Sequence, residues 1–89
     1  MGINMANKNI KEFTSKSGKK YTFQKVKPIA WLDIMDDVEA GDSKTRRRRL
    51  YAHALENIVV QPKIPLEDWE DFGELDEVVN NAINFQRGQ

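Results

Sequence analysis

Four consecutive arginines, Arg46, Arg47, Arg48 and Arg49, are the most concentrated chemistry in this sequence. A guanidinium is permanently charged and offers a planar fork of donors, which suits phosphates and carboxylates. Four in a row span more than one helical turn, so they cannot all lie on one buried face. They can form a solvated flank or pair with an acidic segment of the same chain, serve as a protein-binding patch, or contact the phosphates of a nucleic acid. A helix start is a mildly unfavourable place for positive charge, which leaves room for a functional reason. No recognition-helix pattern or basic aromatic platform accompanies the run, and this counts against nucleic acid.

The second concentration is Trp69 and Phe72, set among Glu67, Asp68, Glu70 and Asp71. Large aromatics beside charge either pack over a helix pair or anchor a partner. His53, the one histidine, lies inside a helical pattern with no nucleophile motif beside it, and it reads as a surface or packing residue. Asp33, Asp36, Asp37 and Glu39 have the spacing of a solvated helix face and lack the loop of a calcium site. Ser15-Lys16-Ser17-Gly18-Lys19-Lys20 resembles a phosphate loop only in part, because the full spacing and the following helix are missing. The chain has no cysteine, which removes thiol nucleophiles, disulfides and Cys-rich metal sites. We therefore expect no enzyme activity and no cofactor or metal.

With 89 residues, 39% of them hydrophobic, the chain can build one small core, and a stability of ~5–10 kcal/mol is expected. No apolar run approaches the roughly 20 residues that cross a bilayer, and the polar start lacks a secretory apolar stretch, so no membrane association is expected. The formal net charge is zero but unevenly spread: residues 1–30 carry seven lysines against Glu12, and residues 61–89 carry Lys63 and Arg87 against seven acids. Ends of opposite sign can meet within one molecule or join copies head to tail, which makes self-association a candidate property.

The elements that position these residues follow from periodicity. Residues 1–9 read as a disordered leader, and 10–89 as one domain. Aromatic and β-branched residues around the Gly18 turn predict a β-hairpin in which Tyr21 and Phe23 share a face. Pro28 opens a helix to Ala40 with Trp31, Ile34, Met35 and Val38 on one stripe, capped by Gly41. Asp42 or Ser43 starts a second helix that buries Tyr51, Ala54, Leu55 and Ile58. Val59 to Pro65 reads as an extended connector, since each proline disfavours helical angles before it. One helical turn at Leu66–Phe72, interrupted by Gly73, precedes a last helix from about Glu74 with Leu75, Val78, Val79, Ala82, Ile83 and Gln86 on one face and Gly88 beyond its end. The expected class is α+β: a mainly helical single domain with an N-terminal hairpin packed on about three helices.

From about Tyr21 to Gly88 this order resembles the small tail assembly chaperones of long-tailed bacteriophages and prophages of Gram-positive bacteria. The residues that carry the resemblance are the strand YTFQKV, the helix with Trp31 and Asp33, the helix ending NIVVQPK, and the acidic stretch with Trp69 and Phe72 before ELDEVVNNAINFQRG. The arginine run matches no motif of that family. The resemblance implies a non-enzymatic protein in the cytoplasm of the bacterial host, absent from the mature virion. It would bind the tape measure protein and assist tail tube protein to polymerise around it. The competing expectations are a small regulator binding nucleic acid through Arg46–Arg49, and a minor structural tail or connector protein.

Overall fold

Strands β1 (Ile10–Thr14) and β2 (Lys20–Gln24) form the expected hairpin, with Phe13 opposite Tyr21 and Lys11 opposite Phe23. The computed structural model describes residues 9–89. The expected leader, 1–9, therefore lies outside the described residues except for Asn9, whose carbonyl accepts from the Lys25 amide at 2.8 Å. The turn closes through bonds from Ser15 N–H to the Lys19 carbonyl and from Gly18 N–H to the Ser15 carbonyl, both 2.9 Å. Gly18 sits at φ +89°, where a side chain would be strained. Tyr21 and Phe23 are buried on the shared face, and Phe13 stacks on Phe23 with centroids 5.3 Å apart.

Helices α1 (Pro28–Ala40), α2 (Arg46–Asn57) and α3 (Phe72–Gln86) follow. α1 begins at Pro28, where the missing amide is one that would go unpaired in any helix. Its side toward α2 buries Ile34 and Val38 and half-buries Trp31 and Met35, while Ile29 and Leu32 remain exposed. Gly41 caps α1 in an extended conformation, φ −77°. Its lack of a side chain matters for another reason. A Cβ there would lie 2.7 Å from both Arg49 Nε and Thr45 Oγ1. α3 ends in a Schellman turn: Gly88 at φ +81°, with Gly88 N–H bonded to the Phe85 carbonyl and Gln89 N–H to that of Asn84.

Two sequence expectations need correction. The connector after α2 is not merely extended, because Val59–Gln61 forms a third strand, β3, antiparallel to β2, in the order β1-β2-β3. The far edge of β2 would otherwise leave backbone groups unpaired, and two valines suit a strand that meets them. Pro62 and Pro65 then keep it short. Gly73 does not interrupt a helix either. Leu66–Asp68 is a short 3-10 turn, Trp69 to Asp71 are non-helical, and Asp71 caps α3 by accepting from Glu74 N–H at 3.0 Å. The pattern Asp71-x-x-Glu74 has capping-box spacing, a start signal that outweighs one glycine in the first turn.

One cluster forms the core: Tyr21 and Phe23 from β2, Tyr51, Ala54, Leu55 and Ile58 around α2, Val59 from β3, and the Leu75–Ile83 face of α3. α2 lies between α1 and α3, and α3 covers β2. Gln86 ties the end of α3 to the link before α1, bonding the amide of Val26 at 2.8 Å and its carbonyl at 3.0 Å. The α+β class, with an N-terminal hairpin on three helices, holds. Among the described residues no helix is long and apolar enough to cross a membrane.

Candidate protein-binding cleft

The arginine run begins where α2 begins. Asp42 Oδ1 accepts from the amides of Lys44 and Thr45, both at 3.0 Å, and this folds the turn that carries the chain into α2. The first turn of α2 is then basic, which its own dipole disfavours. The offset lies in the neighbouring helix. Arg46 Nε donates to the Gly41 carbonyl at 3.1 Å and Arg49 Nη1 to the Asp37 carbonyl at 3.1 Å. Two of the four arginines thus cap the C-terminus of α1, where positive charge is favourable. The close approach of Arg49 to Gly41 is part of the same arrangement.

The carboxylates that meet the run also belong to α1. Arg49 lies 3.2 Å from Asp37 Oδ1, Arg46 4.0 Å from Glu39, and His53 Nε2 donates to Asp37 Oδ2 at 2.7 Å. The intramolecular partner is therefore not the acidic C-terminal segment considered from sequence. Asp33, Asp36 and Asp37 are all exposed, as expected for a solvated face, and Asp37 in addition bridges α1 to α2. The hydrogen bond from His53, with a further contribution from Arg49, holds the Asp37 carboxyl below its ordinary range despite some desolvation. His53 is thereby a packing residue of the α1–α2 seam. Arg47 and Arg48 are exposed and make no ion pair among the described residues.

Phe72, the first residue of α3, stacks on Tyr51 with ring centroids 6.5 Å apart and planes 7° from parallel, yet stays 60% exposed. The two rings line a cleft of about 540 Å³ between α1, α2 and α3, together with Met35, Leu50, Arg46 and Arg47. Tyr51 donates its hydroxyl proton to Asp76 at the cleft's edge, and Asn80 Nδ2 donates to the same carboxylate at 3.0 Å. Burial, followed by the bond to Asp76, pushes the Tyr51 hydroxyl above its ordinary value.

Trp69 lies elsewhere. It stacks on Tyr21 at 6.1 Å and donates its indole N–H to the Ile64 carbonyl at 3.2 Å, closing the connector over the hairpin. Of the six residues singled out from sequence, the fold brings Arg46, Arg47 and Phe72 to one cleft. It leaves Arg48 outside that lining, turns Arg49 into α1 and gives Trp69 a packing role.

Sequence reading missed Glu74, a buried acid under the hairpin turn. It accepts from the Tyr21 hydroxyl at 2.6 Å and from Ser17 Oγ at 3.0 Å, while Glu77 accepts from the Lys16 amide at 3.1 and 3.2 Å. Burial opposes ionisation of Glu74. The hydrogen bonds from Tyr21, Ser15 and Ser17 and the charge of Lys19 outweigh it, and the carboxyl lies below its ordinary range. The sequence placed Glu74 near the start of the last helix, but nothing local pointed its carboxylate at the hairpin. Among the described residues no group of three or more His, Asp or Glu could hold a metal ion. Comparison with protein-family models, curated proteins and solved structures finds no match.

Proposed function

We propose that this chain acts by binding another protein, as a tail assembly chaperone of the phage type its sequence resembles. In this reading it binds the tape measure protein in the cytoplasm of a bacterial host, assists tail tube protein to polymerise around it, and leaves no copy in the mature virion. The role is one of shielding rather than catalysis. A long helical partner exposes apolar surface until a tube encloses it, and many weakly held copies can cover that surface reversibly.

The observation that carries the reading is Phe72, an aromatic ring 60% exposed at the head of α3, standing over a cleft in which Met35, Leu50 and Tyr51 meet Arg46, Arg47, Glu39 and Asp76. An aromatic anchor beside arginines is the composition that protein interfaces favour. The test is co-expression with the tape measure protein, followed by pull-down and measurement of the soluble fraction. Co-purification, with the tape measure soluble only in the presence of this chain, is the expected result. Failure to bind, with solubility unchanged, would sink the proposal.

A further inference from the structure

α1 is attached to the rest of the fold differently from the other two helices. It buries Ile34 and Val38, yet neither belongs to the cluster that forms the core, and of the apolar side chains of α1 only Trp31 packs against that cluster. Open hollows flank the contact with α2 on both sides. One is the cleft of about 540 Å³ that reaches Met35 and Val38; the other, of about 310 Å³, lies between Ala30, Asp33 and Ile34 on α1 and His53 and Asn57 on α2. The apolar seam is therefore a narrow stripe. α2, by contrast, sets Tyr51, Ala54 and Leu55 into the core with β3 and α3, so its own place does not depend on α1.

The polar ties that hold α1 down gather at its C-terminal end. Asp37 takes Arg49 on one carboxylate oxygen and His53 on the other, Arg49 also donates to the Asp37 carbonyl, and Arg46 donates to that of Gly41. α1 carries Asp33, Asp36, Asp37 and Glu39 and no basic residue, so its dipole is disfavoured at this end and the compensating charge comes from α2. The ties are open to water, Arg49 being 41% and Asp37 50% exposed, and at such positions each one is weak. We infer that α1 is a latched flap with Asp37 as its latch. It leaves α2 as a unit while the hairpin, α2, β3 and α3 stay folded. The link that Gln86 pins at Val26 is the pivot, and release uncovers the stripe of Trp31, Ile34, Met35 and Val38 that the closed form covers. The device belongs to the chain alone and requires no partner.

Native-state amide hydrogen exchange of the full chain, read residue by residue by NMR, tests it. Relative to their intrinsic rates, the amides of α1 from Leu32 to Val38 exchange about a hundredfold or more faster than those of α3 from Val78 to Ile83. Asp37→Ala speeds the α1 amides about fivefold further, and about 0.5 M NaCl speeds them in smaller measure, while the α3 amides stay within about twofold. Asp36→Ala removes a neighbouring exposed acid that has no tie to α2 among the described residues. Both substitutions raise helix propensity, so Asp36→Ala leaves α1 exchange unchanged or slows it, and only the loss of the latch accelerates it. Equal protection of α1 and α3 in the unaltered chain, a comparison that needs no variant to fold, overturns the inference by showing one cooperative unit. Acceleration of both helices together by Asp37→Ala does the same. An Asp37→Ala variant that leaves α1 unaffected, or an Asp36→Ala variant that speeds it equally, removes Asp37 as the latch.

Discussion

At the scale of single residues, Tyr21 and Glu74 connect the hairpin to α3 through one short bond, and both side chains are largely removed from water. Loss of the Tyr21 hydroxyl leaves a buried carboxylate short of a donor, so Tyr21→Phe is expected to lower the urea-unfolding free energy by about 1–3 kcal/mol. Because the carboxyls of Glu74 and Asp37 are held below their ordinary range, both contribute stability that is fully present above that range. It is lost as pH falls through their folded values. Stability measured by urea unfolding should therefore decline on acidification, and Glu74→Gln should flatten the decline. An unchanged slope in that variant would assign the acid sensitivity to other groups. The aromatics divide in the same way. Trp69→Ala removes a ring packed on Tyr21 and an indole hydrogen bond, with an expected cost of about 2–3 kcal/mol, whereas Phe72→Ala, at an exposed position, should cost less than about 1 kcal/mol. Thermal melts of the two variants decide whether packing and exposure have been correctly apportioned. Sequence composition grouped these rings together, because both stand in one acidic stretch and nothing local distinguishes a ring facing the hairpin from one facing water.

At the scale of elements, the seam between α1 and α2 explains half of the arginine run. Arg46 and Arg49 satisfy carbonyls at the end of α1, and this requires the bare backbone of Gly41, because a Cβ there would stand 2.7 Å from Arg49 and Thr45. Gly41→Ala is expected to destabilise by about 1 kcal/mol even though its φ of −77° suits any residue. In a double-mutant cycle with Arg49→Ala the two losses should be non-additive by about 0.5–1 kcal/mol. Strict additivity, measured by chemical denaturation, would show that the close approach carries no strain. The helices themselves were legible from the 3.6-residue period and from Pro28. β3 was not, because three residues before a proline carry too little alternation to read, and its partner β2 lies 35 or more positions earlier in the chain.

At the scale of the whole molecule, the basic hairpin and the acidic C-terminal half meet inside one chain. The Lys16 amide and Ser17 hydroxyl bond to Glu77 and Glu74, and Lys19 favours the ionised form of Glu74. The charge asymmetry that could have driven head-to-tail assembly is thus used, at least in part, within the fold. Phe23 stands at the centre of that fold, fully buried between Phe13 and Phe85. Phe23→Ala should cost about 3–5 kcal/mol, a large share of the ~5–10 kcal/mol expected for a domain of this size. Loss of the cooperative thermal transition in that variant is the expected outcome, and an unaltered melting temperature would refute the placement of the core.

By itself the sequence determined the class of the fold, the hairpin with its glycine turn, the span of α1, the buried faces of α2 and α3, and Gly88 at the end of α3. All of these follow from local chemistry: side-chain periods of two and 3.6, a proline's fixed φ, and a glycine's tolerance of positive φ. Only the tertiary structure decided that β3 pairs with β2, that Glu74 lies under Tyr21, that Asp37 and two arginines join α1 to α2, and that Phe72 rather than Trp69 stands open beside Arg47. These depend on which surfaces are apposed, and apposition is fixed by burial of the shared core over long separations along the chain, where no local pattern of residues records it.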